Sequence, residues 1–169
     1  MPKILIGTCG YDYDDWGTFY PHDIGENEYL YYYAAQFPTV EIFYTCYKMP
    51  TADKIRLLLA DGAPDLTFTL RANEQFTRNA NADEWQEAAK SYIMAIEPLM
   101  TAGRLEAVLF QFPDSFKYTE ENRKYLDSLF REFSGIPSVK GDCQRFGRLR
   151  RVIYRIPHRK TLIVCLIAL

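Results

Sequence analysis

The chain has 169 residues, of which 48% are hydrophobic and 15% aromatic, and its formal net charge at pH 7 is −2. These values are typical of an ordinary soluble globular protein with one core. The apolar runs are too short for a signal peptide or for a bilayer span of about 20 residues, and the four cysteines lack metal-finger or redox spacing. We therefore expect a cytoplasmic protein that has reduced cysteines, contacts no membrane and needs no cofactor.

The first predicted strand, Lys3–Gly7, is a short apolar run that enters a glycine turn. A run without polar alternation suits a strand that is covered on both faces, as in a parallel sheet. An aromatic and acidic loop follows over residues 8–21. The helical spacing of apolar residues then predicts a helix over Glu26–Phe37, which Pro38 ends.

The second strand is predicted over Thr39–Tyr44 and includes a charged residue, Glu41. A carboxylate in a buried strand needs a partner or a ligand, because burying an unpaired charge is costly. After this strand, Thr51 is a suitable N-cap for a helix that extends to Asp61, and Gly62 is well placed to follow the helix end.

The third unit begins with a strand over Leu66–Leu70, which leads into Arg71. Asp83 and Gln86 resemble a capping box and predict the start of a long helix. The apolar residues of that segment form one helical stripe, and Pro98 should kink or end the helix.

The fourth unit combines a strand over Ala107–Phe112 with a helix that Thr119 caps and Gly135 ends. Residues 136–139 look like the start of a fifth strand. Strands that alternate with helices predict right-handed crossovers and a parallel sheet, so the fold class is α/β. No G-x-G-x-x-G sequence follows the first strand, so a dinucleotide-binding fold has no specific support.

Polar residues that follow the predicted strands are candidates for a shared site, because the C-terminal ends of parallel strands meet at one edge of the sheet. These residues are Thr8, Cys9, Glu41, Arg71 and Gln111. In the functional interpretation, Glu41 is a catalytic general base or orients a substrate hydroxyl, Arg71 holds an anion, and Gln111 binds a polar ligand. In the structural alternative, Glu41 and Arg71 form a buried ion pair between neighbouring strands.

Aromatic residues and a cysteine surround this edge in the sequence. Tyr11, Tyr13 and Trp16 in the first loop, and Tyr47 after the second strand, could bind a ligand by stacking or could cover the mouth of the fold. Cys9 could be a nucleophile, but no histidine follows at a useful distance, so a small buried thiol is the favoured interpretation. The two histidines of the chain argue against a multi-zinc site, and we predict no metal.

The end of the chain differs in charge from the rest. Residues 1–138 include 12 basic and 21 acidic residues, whereas residues 139–169 include 8 basic residues and 1 acidic residue. The tail has no clean helical stripe, although residues 152–154 and 162–169 could be strands. It is either a basic arm that binds nucleic acid or an acidic partner, or, as we favour, the product of a frameshift near Val139.

Several short motifs occur in the same order as in a known family. They are Ile6–Tyr11, Trp16, Phe19–Pro21, Tyr32–Ala34, Phe37, Thr39–Ile42, Tyr47–Pro50, Phe68–Ala72, Val108–Pro113 and Ser115–Phe116. Together they resemble the YecE-like family of uncharacterised proteins over residues 4–139. The chain departs from the family pattern at Phe43, Arg71 and Arg78, where the family usually has Asn, Lys and His.

The resemblance implies a parallel (β/α) barrel of TIM type, of which this chain would supply the first four βα units as a half barrel. We therefore divide the chain into a family domain at residues 1–139 and a basic tail at residues 140–169. A half barrel would expose two strand edges and an apolar inner face, which favours self-association.

The resemblance supplies no established activity for the family. A polar or phosphorylated small molecule at the strand ends is the expected ligand, and this copy is expected to be truncated and inactive. The first alternative is a small-molecule isomerase or hydrolase that uses Glu41 and Arg71. The second is nucleic-acid binding through the arginine-rich tail, which we consider the least favoured.

Overall fold

The computed structural model describes residues 3–78, 84–117, 119–140, 144–146, 149–155 and 161–168, with side chains up to Val139 apart from Asp15. The strands are β1 (Lys3–Cys9), β2 (Thr39–Ile42), β3 (Thr67–Arg71), β4 (Leu105–Phe110), β5 (Ser138–Lys140), β6 (Gln144–Phe146), β7 (Leu149–Arg155) and β8 (Thr161–Ala168). The helices are α1 (Tyr29–Gln36), α2 (Ala52–Asp61), α3 (Trp85–Thr101) and α4 (Glu120–Glu132).

The strands form one sheet in the order β5-β4-β3-β2-β1-β8-β7-β6. Neighbours from β1 to β5 are parallel, and β8 is parallel to β1, whereas the β6–β7 and β7–β8 pairs are antiparallel. The five sequential parallel strands form a curled half barrel, which confirms the predicted α/β fold.

The residues that the sequence predicts as helix caps and helix ends have these roles in the structure. The Thr51 hydroxyl accepts a hydrogen bond from the Lys54 amide at 3.3 Å, and the Thr119 hydroxyl accepts one from the Asn122 amide at 3.1 Å. Both are N-cap bonds that satisfy an amide of the first helical turn. Gly135 follows α4 with a φ of +84°, a conformation that side chains disfavour.

Several element boundaries differ from the predicted ones. Residues 26–28 form a 3₁₀ turn before α1, and a second 3₁₀ turn at residues 44–46 ends β2 early. Helix α3 continues through Pro98 to Thr101, because the proline lies in the last turn and few hydrogen bonds depend on it. The predicted capping residue Asp83 lies outside the described residues.

The two faces of the sheet differ in polarity. The outer face packs against the helices through apolar side chains such as Val40, Ile42 and Phe68. The inner face of β2 and β3 is polar instead, and Thr39, Glu41 and Thr69 on it are fully buried. This contrasts with the apolar, exposed inner face that we expected of a half barrel.

The exposed apolar side chains of β1 lie on the outer face. Ile4 is 60% exposed and Ile6 is 48% exposed. They alternate in phase with Thr8, whose hydroxyl meets Tyr33 of α1, so they point to the helix side. We expected β1 to be an exposed edge strand of the half barrel. Instead, β8 pairs with it from Lys3 to Thr8.

Candidate functional site

Strand register brings three of the predicted site residues together. Cys9 of β1 is the register partner of Glu41 in β2, and Glu41 is the partner of Thr69 in β3. Arg71 lies two residues after Thr69 and therefore on the same, inner face. The hydrogen bond from the Gly10 amide to the Glu41 carbonyl, at 2.8 Å, extends the β1–β2 pairing past Cys9.

Glu41 and Arg71 form an ion pair at the C-terminal ends of β2 and β3. The Arg71 Nε donates to Oε1 of Glu41 at 3.1 Å, and its Nη2 donates to the same oxygen. The Glu41 side chain is fully buried, whereas the Arg71 side chain is 13% exposed. Arg71 is therefore the member of the pair that solvent reaches.

The main chain of Arg71 is held by side chains from two other elements. Its carbonyl accepts hydrogen bonds from the Thr45 hydroxyl at 2.6 Å and from the Tyr92 hydroxyl at 2.9 Å. Thr45 is held in turn by Asn73, whose side-chain amide donates to the Thr45 carbonyl at 2.9 Å. These bonds fix the end of β3 and so the origin of the Arg71 side chain.

The Cys9 thiol belongs to the same cluster. Its Sγ lies 3.3 Å from Oε1 of Glu41 and 3.6 Å from Nη2 of Arg71. Burial, followed by the charge of Glu41, raises the pKa of the Cys9 thiol well above its usual range, although Arg71 acts in the opposite direction. The thiol therefore keeps its proton near neutral pH and donates a hydrogen bond, which supports the buried-thiol interpretation over the nucleophile.

Tyr13, one of the loop aromatics that could stack on a ligand, contacts this cluster. Its hydroxyl donates to the Cys9 carbonyl. Its ring is nearly parallel to that of Phe43, with centroids 6.5 Å apart, and lies 5.3 Å from the ring of Trp16. Burial raises the pKa of Tyr13, and the nearby Cys9 and Glu41 add to the effect. The available signal was its position in the loop that follows β1.

Thr8 does not join the inner-face cluster. Its hydroxyl lies 2.5 Å from the Gly10 carbonyl and 2.9 Å from the Tyr33 hydroxyl, and its amide donates to the Tyr33 hydroxyl at 2.9 Å. Tyr33 donates onward to the Thr39 carbonyl at 2.9 Å. Thr8 thus helps α1 to bridge β1 and β2 on the helix side of the sheet.

The other predicted ligand residues lie around the same edge without a described contact to the ion pair. The rings of Tyr11 and Trp16 pack on Tyr33, each with a centroid distance of 6.4 Å. Tyr47 is exposed, and Gln111 directly follows β4. The inner-face residues Thr39 and Thr69 were missed, although they stand at the spacing and register that a strand containing Glu41 implies.

The described part of the chain lacks a metal-ligand cluster and a membrane-spanning helix. Within it, no three or more His, Cys, Asp or Glu side chains are grouped so that they could hold a metal ion. No described helix combines the length and apolar character needed to cross a bilayer. The arginine side chains of the tail, on which the nucleic-acid alternative depends, lie outside the described residues.

The chain is similar to known proteins over most of its length. A family model described as "Protein of unknown function DUF72" matches residues 5–140. The UPF0759 protein YunF of Bacillus subtilis (strain 168) is 25% identical over 138 residues, which are 79% of this chain and 48% of YunF.

Crystal structures of two DUF72 family proteins are similar in fold. The protein from Thermotoga maritima has 30% sequence identity and a TM-score of 0.69, with 82% of this chain and 55% of that chain covered. The protein from Enterococcus faecalis has 22% identity and a TM-score of 0.68, with 81% and 50% covered, and shows the fold alone. The chain thus spans about half the length of these relatives.

Proposed function

Because the chain belongs to the DUF72 family, whose description assigns no function, we propose that it supplies one side of a binding site for a small polar or anionic molecule. The site lies at the C-terminal edge of the parallel sheet, where α/β folds commonly bind ligands. The observation that carries the proposal is the Glu41–Arg71 pair, in which the Arg71 side chain is partly exposed and the Glu41 side chain is fully buried. An arginine held in this way can recognise a carboxylate or a phosphate.

In this proposal Glu41 is a positioning residue for Arg71. Its oxygen Oε1 receives both Nε and Nη2 of Arg71, and its side chain is fully buried. A general base must come within hydrogen-bond reach of a substrate proton, which a fully buried carboxylate behind an arginine does poorly. The isomerase or hydrolase alternative therefore requires the Arg71 side chain to move when substrate binds.

The test is a titration of the full chain with inorganic phosphate at constant ionic strength. The chain has two tryptophans, so a Trp85→Phe background leaves Trp16, near Tyr13, as the reporter. We expect saturable quenching or enhancement of Trp16 fluorescence. The Glu41→Leu/Arg71→Met variant, which removes both buried charges together, should abolish it.

The control variant is Arg104→Lys, because Arg104 precedes β4 at the opposite end of the sheet. It should retain the phosphate response. A wild-type chain without a saturable response, or a charge-free double variant with a wild-type response, would contradict the proposed site.

We also propose that this chain is a truncated, YecE-like copy, which keeps the anion-binding residues at the strand ends but is inactive by itself. Support comes from the change to a basic composition after residue 138, close to residue 140, where the family match ends. Resequencing of the gene and of the region beyond its stop codon tests this. We expect a second reading frame, entered near Val139, that encodes further βα units. An uninterrupted single frame with no such extension would show that the tail is genuine.

A further inference from the structure

Within the part of the chain that the structure describes, two threonine hydroxyls on the inner face of the sheet have no hydrogen-bond partner. They are Oγ1 of Thr39 and Oγ1 of Thr69, and both residues are fully buried. A buried hydroxyl that gives up its hydrogen bonds to water costs free energy, and most buried polar groups in proteins are paired for that reason. Two such hydroxyls on one face therefore indicate a missing partner.

The two hydroxyls stand next to the carboxylate of the proposed site. Thr69 is the register partner of Glu41, and Thr39 lies two residues before Glu41 on the same face of β2. They are diagonal neighbours on adjacent strands, whose Cα atoms are about 7–8 Å apart and whose side chains are closer. A single small molecule can reach both hydroxyls from that position.

Each of the two threonines has a small residue as one of its register partners. Gly7 of β1 is the register partner of Thr39, and Ala107 of β4 is the partner of Thr69. Neither has a polar side-chain atom that could satisfy a hydroxyl, and neither fills the face with a large side chain. A polar layer lined by small residues is suited to a buried water.

Thr39 cannot readily turn away to find a partner in the chain. A Cβ at Gly7 would lie 2.0 Å from the Thr39 carbonyl oxygen and 2.9 Å from its Cγ2, so β1 and β2 are closely packed there. The same carbonyl accepts the Tyr33 hydroxyl at 2.9 Å. Because a β-branched side chain has few rotamers, this packing restrains the Thr39 hydroxyl.

We propose that one ordered water binds between the Thr39 and Thr69 hydroxyls, on the inner face beside Glu41. Each hydroxyl can donate and accept, which matches the two to four hydrogen bonds of a buried water. An uncharged water is sufficient to satisfy two neutral hydroxyls. Both threonines are fully buried, which disfavours a larger ligand. This inference does not depend on the proposed anion site.

The test uses three threonine-to-valine substitutions, which exchange a hydroxyl for a methyl group of similar size. Thr45→Val is the reference, because Thr45 is equally buried and its hydroxyl has described partners, the carbonyls of Arg71 at 2.6 Å and Ile42 at 3.1 Å. Thr39→Val and Thr69→Val should lower the thermal midpoint in the same direction as Thr45→Val, by about 2–4 °C each. The Thr39→Val/Thr69→Val double variant should lose less than the sum, since both hydroxyls bind one water.

An unchanged or raised thermal midpoint in Thr39→Val and Thr69→Val would overturn the inference, because removal of an unpartnered hydroxyl is neutral or stabilising. Additive losses would overturn the shared water. Oxygen-17 magnetic relaxation dispersion on the wild-type chain provides a measurement that needs no variant. It should detect a water that resides longer than the tumbling time, and the absence of any such water would also overturn the proposal.

Discussion

One arginine lies at each end of the parallel strands, and the two arginines have different partners. At the C-terminal edge, Arg71 pairs with a buried carboxylate, that of Glu41. At the N-terminal edge, Arg104 donates only to main-chain carbonyls: Nε to Leu66 at 2.7 Å, Nη1 to Leu59 at 3.1 Å and Nη2 to Ala63 at 2.6 Å. The first arginine is held by side chains, and the second by the main chain.

The two arrangements differ in electrostatics as well as in partners. Burial lowers the pKa of Arg104, although the charge of Asp65 acts in the opposite direction. The guanidinium also lies 5.1 Å from the centre of the Phe68 ring, a cation–π geometry. Arg104 therefore uses Nε, Nη1 and Nη2 to join the start of β4 to α2 and to the segment between α2 and β3, which is a structural task. Arg71 neutralises a buried charge at the strand ends where we propose that an anion binds.

The largest expected effect is that of Arg71→Met. The substitution leaves the fully buried Glu41 carboxylate without its described cation, which costs about 3–5 kcal/mol of unfolding free energy. Glu41→Leu/Arg71→Met should recover most of this loss, because it removes both charges. Urea unfolding of the wild type and of the single and double variants measures the coupling. A loss below about 1 kcal/mol in Arg71→Met would show that the pair is exchangeable with solvent.

Arg104→Met should have a smaller effect of a different kind. It leaves three carbonyls without a described charged donor, and we expect a loss of about 1–3 kcal/mol. No second side-chain substitution should restore it, because the partners belong to the main chain. Urea unfolding again measures the loss, and Arg56→Met is the matched control, since Arg56 is an exposed arginine paired with Asp53. Equal losses in both variants would show that the three hydrogen bonds of Arg104 stabilise the fold no more than an exposed ion pair does.

Alkaline pH should lower the free energy of unfolding, because the Cys9 thiol ionises more easily in the unfolded chain than in the folded one. Burial and then the charge of Glu41 raise the pKa of the folded thiol, so the unfolded chain loses this proton first as pH rises. The contribution is fully present below the unfolded pKa of about 8.5 and is lost above it, by up to about 1.4 kcal/mol per pH unit. Cys9→Ala should have a shallower decline between pH 9 and 10.5. The tyrosines also titrate in alkali, so the difference from wild type is the quantity to compare, and identical slopes would contradict the prediction.

Local signals predicted the repeating architecture well. Thr51, Thr119 and Gly135 mark helix ends because each satisfies a local backbone requirement that the residue type itself reveals. The partnership of Glu41 and Arg71 could also be anticipated, since parallel register brings the ends of consecutive strands together. These features depend on short-range chemistry or on one simple topological rule.

Other features depend on long-range packing and had no local signal. The hydroxyl of Tyr13 reaches the Cys9 carbonyl only because of the path of an irregular loop. Thr8 belongs to the helix side, although its position at a strand end suggested the ligand edge. Arg104 was not singled out at all, because its three acceptors are main-chain atoms whose convergence the sequence does not display.

Substitutions at two glycines test the packing around Arg104, and their expected effects are the smallest. Gly62 has an ordinary φ of −89°, so strain does not require glycine there. A Cβ at this position would lie 3.1 Å from the Leu58 carbonyl oxygen, 3.2 Å from Nη2 of Arg104 and 3.3 Å from Cδ2 of Leu66, so Gly62→Ala requires these neighbours, the guanidinium included, to shift by a few tenths of an ångström. We expect a loss of about 1 kcal/mol.

Gly17→Ala is the control for Gly62→Ala. Gly17 has a φ of −56°, and no atom lies within 4 Å of its Cβ position. This substitution should be neutral or should stabilise by about 0.4–1 kcal/mol, because alanine restricts the unfolded chain. In an Arg104→Met background the cost of Gly62→Ala should largely disappear, since the displaced group is gone. If urea unfolding gives the same cost in both backgrounds, the close contact with Leu58, and not the arginine, is what requires glycine at this position.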